Sequence, residues 1–358
     1  MQKDYLVVGL GLAGLAFCSI LEQNKKRFHI IDHNANLSNR VIGGMYNPII
    51  LKRFSPAWKA HEMWQKSILT YQYLERKFAK TYFQPFKIFR ILKSIEEQNN
   101  WTVASDKVVM KEYMTTQLVH ENISGIDAPY GFGELQNVGR VEGEQILQDY
   151  KEFVLEAGLL SLEAFDYEDI IFKDQMVYYK GQAYKHIVFC EGSYIAHNPY
   201  FNYLPMKVSK GEMLIVEIPD LEMKEAIKSS CFMVPLGNHM FIVGATYNWE
   251  DKTVDLTPEG QAELEEKLQS FLKLPYRILD YKAGIRPTVS DRRPLLGKHP
   301  QHPQLAILNG LGTRGIIYAP ALAEILFNHL ENNQDLDPDL HITRFSHDYN
   351  ETNRTHSI

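Results

Sequence analysis

The segment Asp4–Asp32 constrains this chain more than any other. Tyr5-Leu6-Val7-Val8 is a short apolar run of the kind that forms a buried parallel strand, and Gly9-Leu10-Gly11-Leu12-Ala13-Gly14 follows without a break. Leu15–Gln23 has helical character, and Phe28-His29-Ile30-Ile31 reads as a second strand that ends at Asp32. The three glycines differ in what they make possible. Gly9 permits a tight turn, Gly11 lets backbone approach a pyrophosphate, and Gly14 lets the helix pack on the strand. The free N–H groups of the helix N-terminus attract phosphate, and a carboxylate at Asp32 suits a ribose diol. A glycine-rich turn of another α/β fold is the plainer alternative. The strand before, the helix after and the acid beyond favour a dinucleotide, either FAD or NAD.

A chain of 358 residues has room for two domains, and 45% hydrophobic with 23% charged residues suits a globular protein. The net charge of −6 argues against a dedicated nucleic-acid binder. Cys18, Cys190 and Cys231 are too few and too scattered for a disulfide framework. No Cys/His spacing suggests a metal. The N-terminus moves directly into a strand, without the pattern of a signal peptide or a membrane span, so a cytoplasmic protein is expected.

Residues Ser38–Phe54 read as an irregular loop in which Gly43, Gly44 and Met45 could bring backbone close to a flat ring, or simply connect two elements. Trp64, Ile68, Tyr71, Leu74 and Phe78 recur at helical spacing, predicting a helix over 57–80. Short alternating runs from Tyr82 to Tyr130 predict strands. A helix is expected over 139–158, a strand running into the Glu191-Gly192 turn over 184–192, strands within 207–218 and 231–246, and a helix over 256–274. Near the end, Gly284-Ile285-Arg286-Pro287 leads through DRRPLLG to a strand at Leu305–Leu308. The turn Asn309-Gly310-Leu311-Gly312-Thr313-Arg314-Gly315-Ile316 follows, with a helix expected from about Ala319 to Leu330. A second strand–glycine turn–helix unit is superfluous for NAD alone. A flavoenzyme can use its helix N-terminus to stabilise a reduced ring. Glu331–Asp337 reads as a solvent-facing tail, and residues from about 350 onward as frayed.

In order along nearly the whole chain, DYLVVGLGLAGLAF…HIID, VIGGMYNPI, IVFCEGSY, KGEMLIVEI, GIRPTVSDRRPLLG and NGLGTRGIIYAPALAE resemble the motifs of the D-amino-acid-oxidase superfamily. The resemblance implies an α/β protein: a Rossmann-like parallel-sheet FAD-binding domain (1–80, 139–205 and 284–340) interleaved with a substrate domain of mixed or antiparallel sheet (81–138 and 206–283). It implies non-covalent FAD and oxidation of an amino acid or secondary amine by hydride transfer to flavin N5, with oxygen or another acceptor downstream. The cofactor residues it implies are Gly9, Gly11, Leu12, Ala13, Gly14, Asp32, His33, Gly43, Gly44, Met45, Glu191, Gly192, Gly310, Gly312, Thr313, Arg314, Gly315 and Ile316. Arg286 matches an arginine that grips the substrate carboxylate. Arg314 lies near a second such arginine, displaced by one residue, and could instead orient the turn.

Two departures weaken the case for a free small amino acid. Phe232 stands where the glycine-oxidase-like pattern has a tyrosine, and Leu236 where it has an arginine; Tyr247 or Trp249 could compensate or be surface aromatics. The NGLGTRG turn and the MYNP loop resemble the oxidase half of a bifunctional tRNA-wobble-uridine enzyme at least as well, which keeps tRNA open as a partner. A flavin-binding protein without amine oxidase activity is the third alternative.

Overall fold

The computed structural model describes residues 3–33 and 43–349. Lys3–Val8 is a strand, pairing in parallel with Phe28–Ile31 on one side and Gln182–Phe189 on the other. Leu160–Ser161 extends the parallel set beyond Phe28–Ile31, and Leu305–Asn309 extends it beyond Gln182–Phe189. Antiparallel pieces at Ile170–Lys173, Met176–Tyr179 and Leu295–Lys298 complete an eight-stranded sheet. Strands covered on both faces need apolar residues on both, so YLVV and HIVF show no alternation.

The long helices are α1 (Leu12–Gln23), α2 (Ala60–Phe78), α3 (Ile95–Ser105), α4 (Gly143–Glu156), α5 (Pro258–Gln269) and α6 (Gly315–Asn332). α1, α2, α4 and α6 share one core with the first sheet, where Phe17, Tyr71, Tyr150 and Leu322 are buried. A nine-stranded sheet runs in the order Arg277–Arg286, Ser209–Glu217, Met240–Gly244, Phe232–Gly237, Ala226–Lys228, Phe83–Ile91, Phe132–Val141 and Met45–Tyr46, with Met114–Val119 also paired to Phe132–Val141. The expected domain boundary at 138/139 thus falls inside a strand, and Met45–Tyr46 of the first segment pairs into this second sheet.

Four expectations are corrected. The stretch from Tyr82 to Tyr130 is not all strand, because α3 lies within it. The Ser94 hydroxyl accepts from Glu97 N while the Glu97 carboxylate accepts from Lys93 N, which stabilises the first turn. α6 starts at Gly315 rather than Ala319, in spite of Pro320 inside it. Pro320 cannot donate to the Ile316 carbonyl, and the Tyr71 hydroxyl of α2 donates to it instead at 2.8 Å; Ser67 donates to the next carbonyl, Ile317, and accepts from Ala321 N. Glu331 is no solvent-facing residue: it accepts from Tyr5, Lys26 and Lys185, and those donors hold its partly buried carboxyl down at about 2. The loop expected over 38–54 contains short strands at Met45–Tyr46 and Ile49–Ile50; its part before Gly43 lies outside the described residues, as does the tail from Asn350. No described helix is long and apolar enough to cross a membrane.

Candidate active site

The parallel strands all end on the same side, and each passes into a segment that lines one cavity of about 880 Å³. Lys3–Val8 leads to Gly9, Gly11, Leu12 and Ala13; Phe28–Ile31 leads to Asp32 and His33; Gln182–Phe189 leads to Glu191 and Gly192; Leu305–Asn309 leads to Gly312, Thr313, Arg314, Gly315 and Ile316. The C-terminal ends of parallel strands are where α/β folds bind ligands, because loops and helix N-termini converge there. Gly43, Gly44 and Met45 add to the wall, and Arg286 and Tyr247 reach it from the second sheet and the segment after it. Of the residues expected from the sequence, Gly14 and Gly310 do not line the cavity. Both are pinned by protein atoms instead, Gly14 against the Gly9 carbonyl and Gly310 against Val289.

Two helix N-termini open on this cavity. α1 begins after Gly11 and α6 after Arg314, and neither has a side chain capping its first N–H groups. These groups carry partial positive charge and lack intrahelical partners, so they suit a bound anion. Gly9 adopts φ +95°, and a Cβ there would meet the Cys190 carbonyl at 2.6 Å. The turn therefore requires glycine, and it holds α1 aimed at the cavity. Asp32 Oδ1 accepts from Leu10 N at 3.2 Å, so the carboxylate stays beside that turn. Asn309 joins the other two turns, donating to the Gly192 carbonyl at 2.9 Å while accepting from Gly310 N at 2.8 Å. A cradle of two uncapped helices and one carboxylate matches the donors and acceptors of a flavin dinucleotide.

Glu191 accepts from Tyr167 at 2.5 Å and Asn198 at 2.8 Å, yet burial pushes its carboxyl up to about 7. A raised folded-state value means that the native protein favours the protonated form. Its contribution is complete below the ordinary carboxyl range and is lost as pH rises through 7. The melting temperature of flavin-free protein should therefore fall between about pH 5 and pH 8, and Glu191→Gln should flatten that fall. Parallel slopes for the two proteins would refute this.

Arg286 ends the Arg277–Arg286 strand and lays its guanidinium across Gly211 of the neighbouring strand, where a Cβ would stand 1.8 Å from Nη2. It donates to the carbonyls of Lys210 and Thr246, each at 3.1 Å, and stacks 4.2 Å from the Tyr247 ring centroid. A buried ionic cluster holds those carbonyls in place. Lys210 bonds Asp251 at 2.6 Å and lies 3.2 Å from Glu212, which accepts from Thr257 and from Tyr281 at 2.8 Å. The Lys210 bond holds the Asp251 carboxyl down at about 2. No carboxylate among the described residues lies within ion-pair distance of Arg286, whose burial makes its charge costly. Arg314 is tied differently: its buried guanidinium donates to the Asn47 carbonyl, linking the last glycine turn to the MYNP loop. Trp249 is exposed and does not reach the cavity.

Gly211 is the residue that sequence reasoning missed here. Because the guanidinium is the far end of a flexible side chain, Gly211→Ala should fold and bind FAD while displacing Arg286. The resemblance implies that Arg286 grips a substrate carboxylate; on that expectation KM should rise by about tenfold or more as charge-assisted bonds are lost. A wild-type KM would contradict that expectation.

A model of FAD-dependent oxidoreductases matches residues 4–328. The chain belongs to this family. Its cofactor is FAD, and the family assignment agrees with the cradle built by α1, α6 and Asp32. A tRNA 5-methylaminomethyl-2-thiouridine biosynthesis bifunctional protein of Acinetobacter baylyi is 23% identical over 92% of this chain and 53% of its own length. Glycine oxidase of Bacillus subtilis is 24% identical over 58% of this chain and 61% of its own. The chain thus spans about half to three-fifths of the length of these curated relatives. Among solved structures, glycine oxidase from Geobacillus kaustophilus superposes with a TM-score of 0.77 at 18% identity, covering 94% of this chain and 96% of that one. Iminodiacetate oxidase from Chelativorans gives 0.74 at 16%, covering 94% and 97%. These likenesses establish the fold as that of the family.

Proposed function

We propose that the chain oxidises a C–N bond of an amino acid or secondary amine that carries a carboxylate. The observation behind this reading is Arg286: a partly buried cation on the cavity wall with two backbone acceptors, an aromatic neighbour and no carboxylate within ion-pair distance among the described residues. A guanidinium with donors to spare binds both oxygens of a carboxylate in one plane, which would orient the substrate carbon. FAD, when bound, supplies the two-electron acceptor for that carbon. Tyr247 stacks with the guanidinium, and Arg314 holds the glycine turn against the Asn47 loop. We read FAD as non-covalent: burial raises the Cys190 thiol above its ordinary range and the Cys231 thiol to about 11, so neither cavity cysteine offers a thiolate. We assign the first sheet with its helices to FAD and the second sheet to substrate.

An anaerobic flavin-bleaching screen across amino acids, N-methyl amines and modified nucleosides tests the reading. Bleaching by a carboxylate-bearing amine is expected, and a flavin that no amine reduces would overturn it. The likeness over 92% of this chain to the bifunctional tRNA-modifying protein supports a second reading, a wobble-uridine oxidase. Unchanged modified-nucleoside profiles in a strain lacking the gene would dismiss that one.

A further inference from the structure

The acids that line the cavity gather at the first-sheet end of it, which Arg314 shares. These acids, Asp32, Glu163 and Glu191, lie around the ends of the first sheet's strands. The wall formed by Phe232, Val234 and Ile242 of the second sheet leads instead to Lys228 and Lys267. Lys228 ends the Ala226–Lys228 strand, opposite Phe232 in register. Its ammonium donates to the Ser229 carbonyl at 2.7 Å and stands 4.9 Å from the Phe232 ring centroid. Two of the cations around it have acidic partners, Arg90 with Glu97 and Lys267 with Glu263, but Lys228 has none within ion-pair distance among the described residues. Burial first, and then the nearby charges of Arg90, Lys267 and Lys93, push its ammonium down to about 8. An anion arriving in the cavity would relieve that destabilised charge.

The strand order separates this group from Arg286. The guanidinium of Arg286 lies over the Ser209–Glu217 strand, and Met240–Gly244 and Phe232–Gly237 intervene before Ala226–Lys228. At about 4.8 Å per strand step the two strands are on the order of 14 Å apart, more than a free glycine-sized molecule spans. Phe232, the ring beneath Lys228, stands where the glycine-oxidase-like pattern has a tyrosine. The apolar wall therefore continues without a hydroxyl toward the lysine.

We propose that the Lys228 end of the cavity is a subsite for a second anionic group, carboxylate or phosphate, at the far end of an extended amine substrate whose first carboxylate lies at Arg286. The subsite rests on the amine-oxidation reading given above.

Three probes on the FAD-loaded protein test it: N-carboxymethyl-hexylamine, N-carboxymethyl-6-aminohexanoate and N-carboxymethyl-6-aminohexyl phosphate. Anaerobic titration of flavin absorbance reads reaction, and calorimetry reads affinity. Both anionic tails should bind about tenfold or more tighter than the neutral one. That ratio should collapse toward one in Lys228→Met and return in Lys228→Arg, with the flavin spectrum showing that each variant is folded. A phosphate tail that binds tighter than the carboxylate tail identifies phosphate as the natural group. A ratio near one in the unaltered protein, or one undiminished in Lys228→Met, overturns the subsite. Bleaching by the neutral-tailed probe without any tail preference removes the subsite and keeps amine oxidation. A Lys228-dependent preference in calorimetry, with no bleaching by any probe, does the reverse.

Discussion

Arg286→Met is expected to purify with its full complement of FAD and to lose about 100-fold or more in kcat/KM for the proposed amine substrate. The size follows from two charge-assisted hydrogen bonds to a carboxylate, each worth roughly 1.5–3 kcal/mol where the partner is charged. The loss should fall mainly on KM, because the carboxylate keeps its charge while the neighbouring C–N bond is oxidised, so it is held about equally in ground and transition states. A fall in kcat as well would show that the same grip orients the reacting carbon. Arg286→Lys should recover only part of the loss, since an ammonium lacks the planar fork. Methionine would leave the Lys210 and Thr246 carbonyls without that donor, a modest stability cost that a melting curve separates from catalysis. Unaltered substrate kinetics, or a colourless protein, would contradict the assignment of Arg286 to substrate rather than cofactor.

What the sequence disclosed follows from the range of each interaction. The Gly9–Gly14 turn, Asp32 and the closing Gly312–Ile316 turn are local devices, each written in consecutive residues that one strand and one helix suffice to explain. They converge on one cavity because parallel strands end on one side. α3 is also legible, through Ser94 and Glu97 at capping spacing, but short alternating runs on either side draw the segment toward strand. The start expected for α6, about Ala319, misses its first turn, where Pro320 leaves the Ile316 carbonyl without a helical donor. Its hydrogen-bond replacement comes from Ser67 and Tyr71, some 245–254 positions earlier in the chain, which no local pattern encodes. Gly211 and Lys228 are of the same kind. A strand glycine has no visible purpose until Arg286, 76 positions away from Lys210, lies across it. The isolation of Lys228 from acids is a property of the folded cavity alone.

Gly14→Ala should give a protein without flavin, although Gly14 does not itself line the cavity. A Cβ at this position would stand 2.0 Å from the Gly9 carbonyl oxygen and 3.0 Å from its carbon. Both are backbone atoms of the turn, and the Gly9 amide is in turn bonded to Ile31 at 2.8 Å, so no flexible side chain can yield. The helix must instead lift from the strand. Overpacking of this kind costs about 1–3 kcal/mol, against roughly 1 kcal/mol that alanine returns in helix propensity, so the chain should still fold with a modestly lower melting temperature. The cofactor loses far more. The N–H groups of Leu12 and Ala13 ride on α1, and a displacement of an ångström or more takes them out of hydrogen-bond range of a pyrophosphate. Two such bonds to a charged group correspond to a fall in FAD affinity of about 100-fold or more. Equilibrium dialysis against FAD measures it directly, and a yellow Gly14→Ala protein with ordinary affinity would show that this close contact does not set the aim of α1. The contrast with Arg286→Met is the sharper result: one substitution should remove the flavin from a folded chain, the other should keep the flavin and remove its substrate.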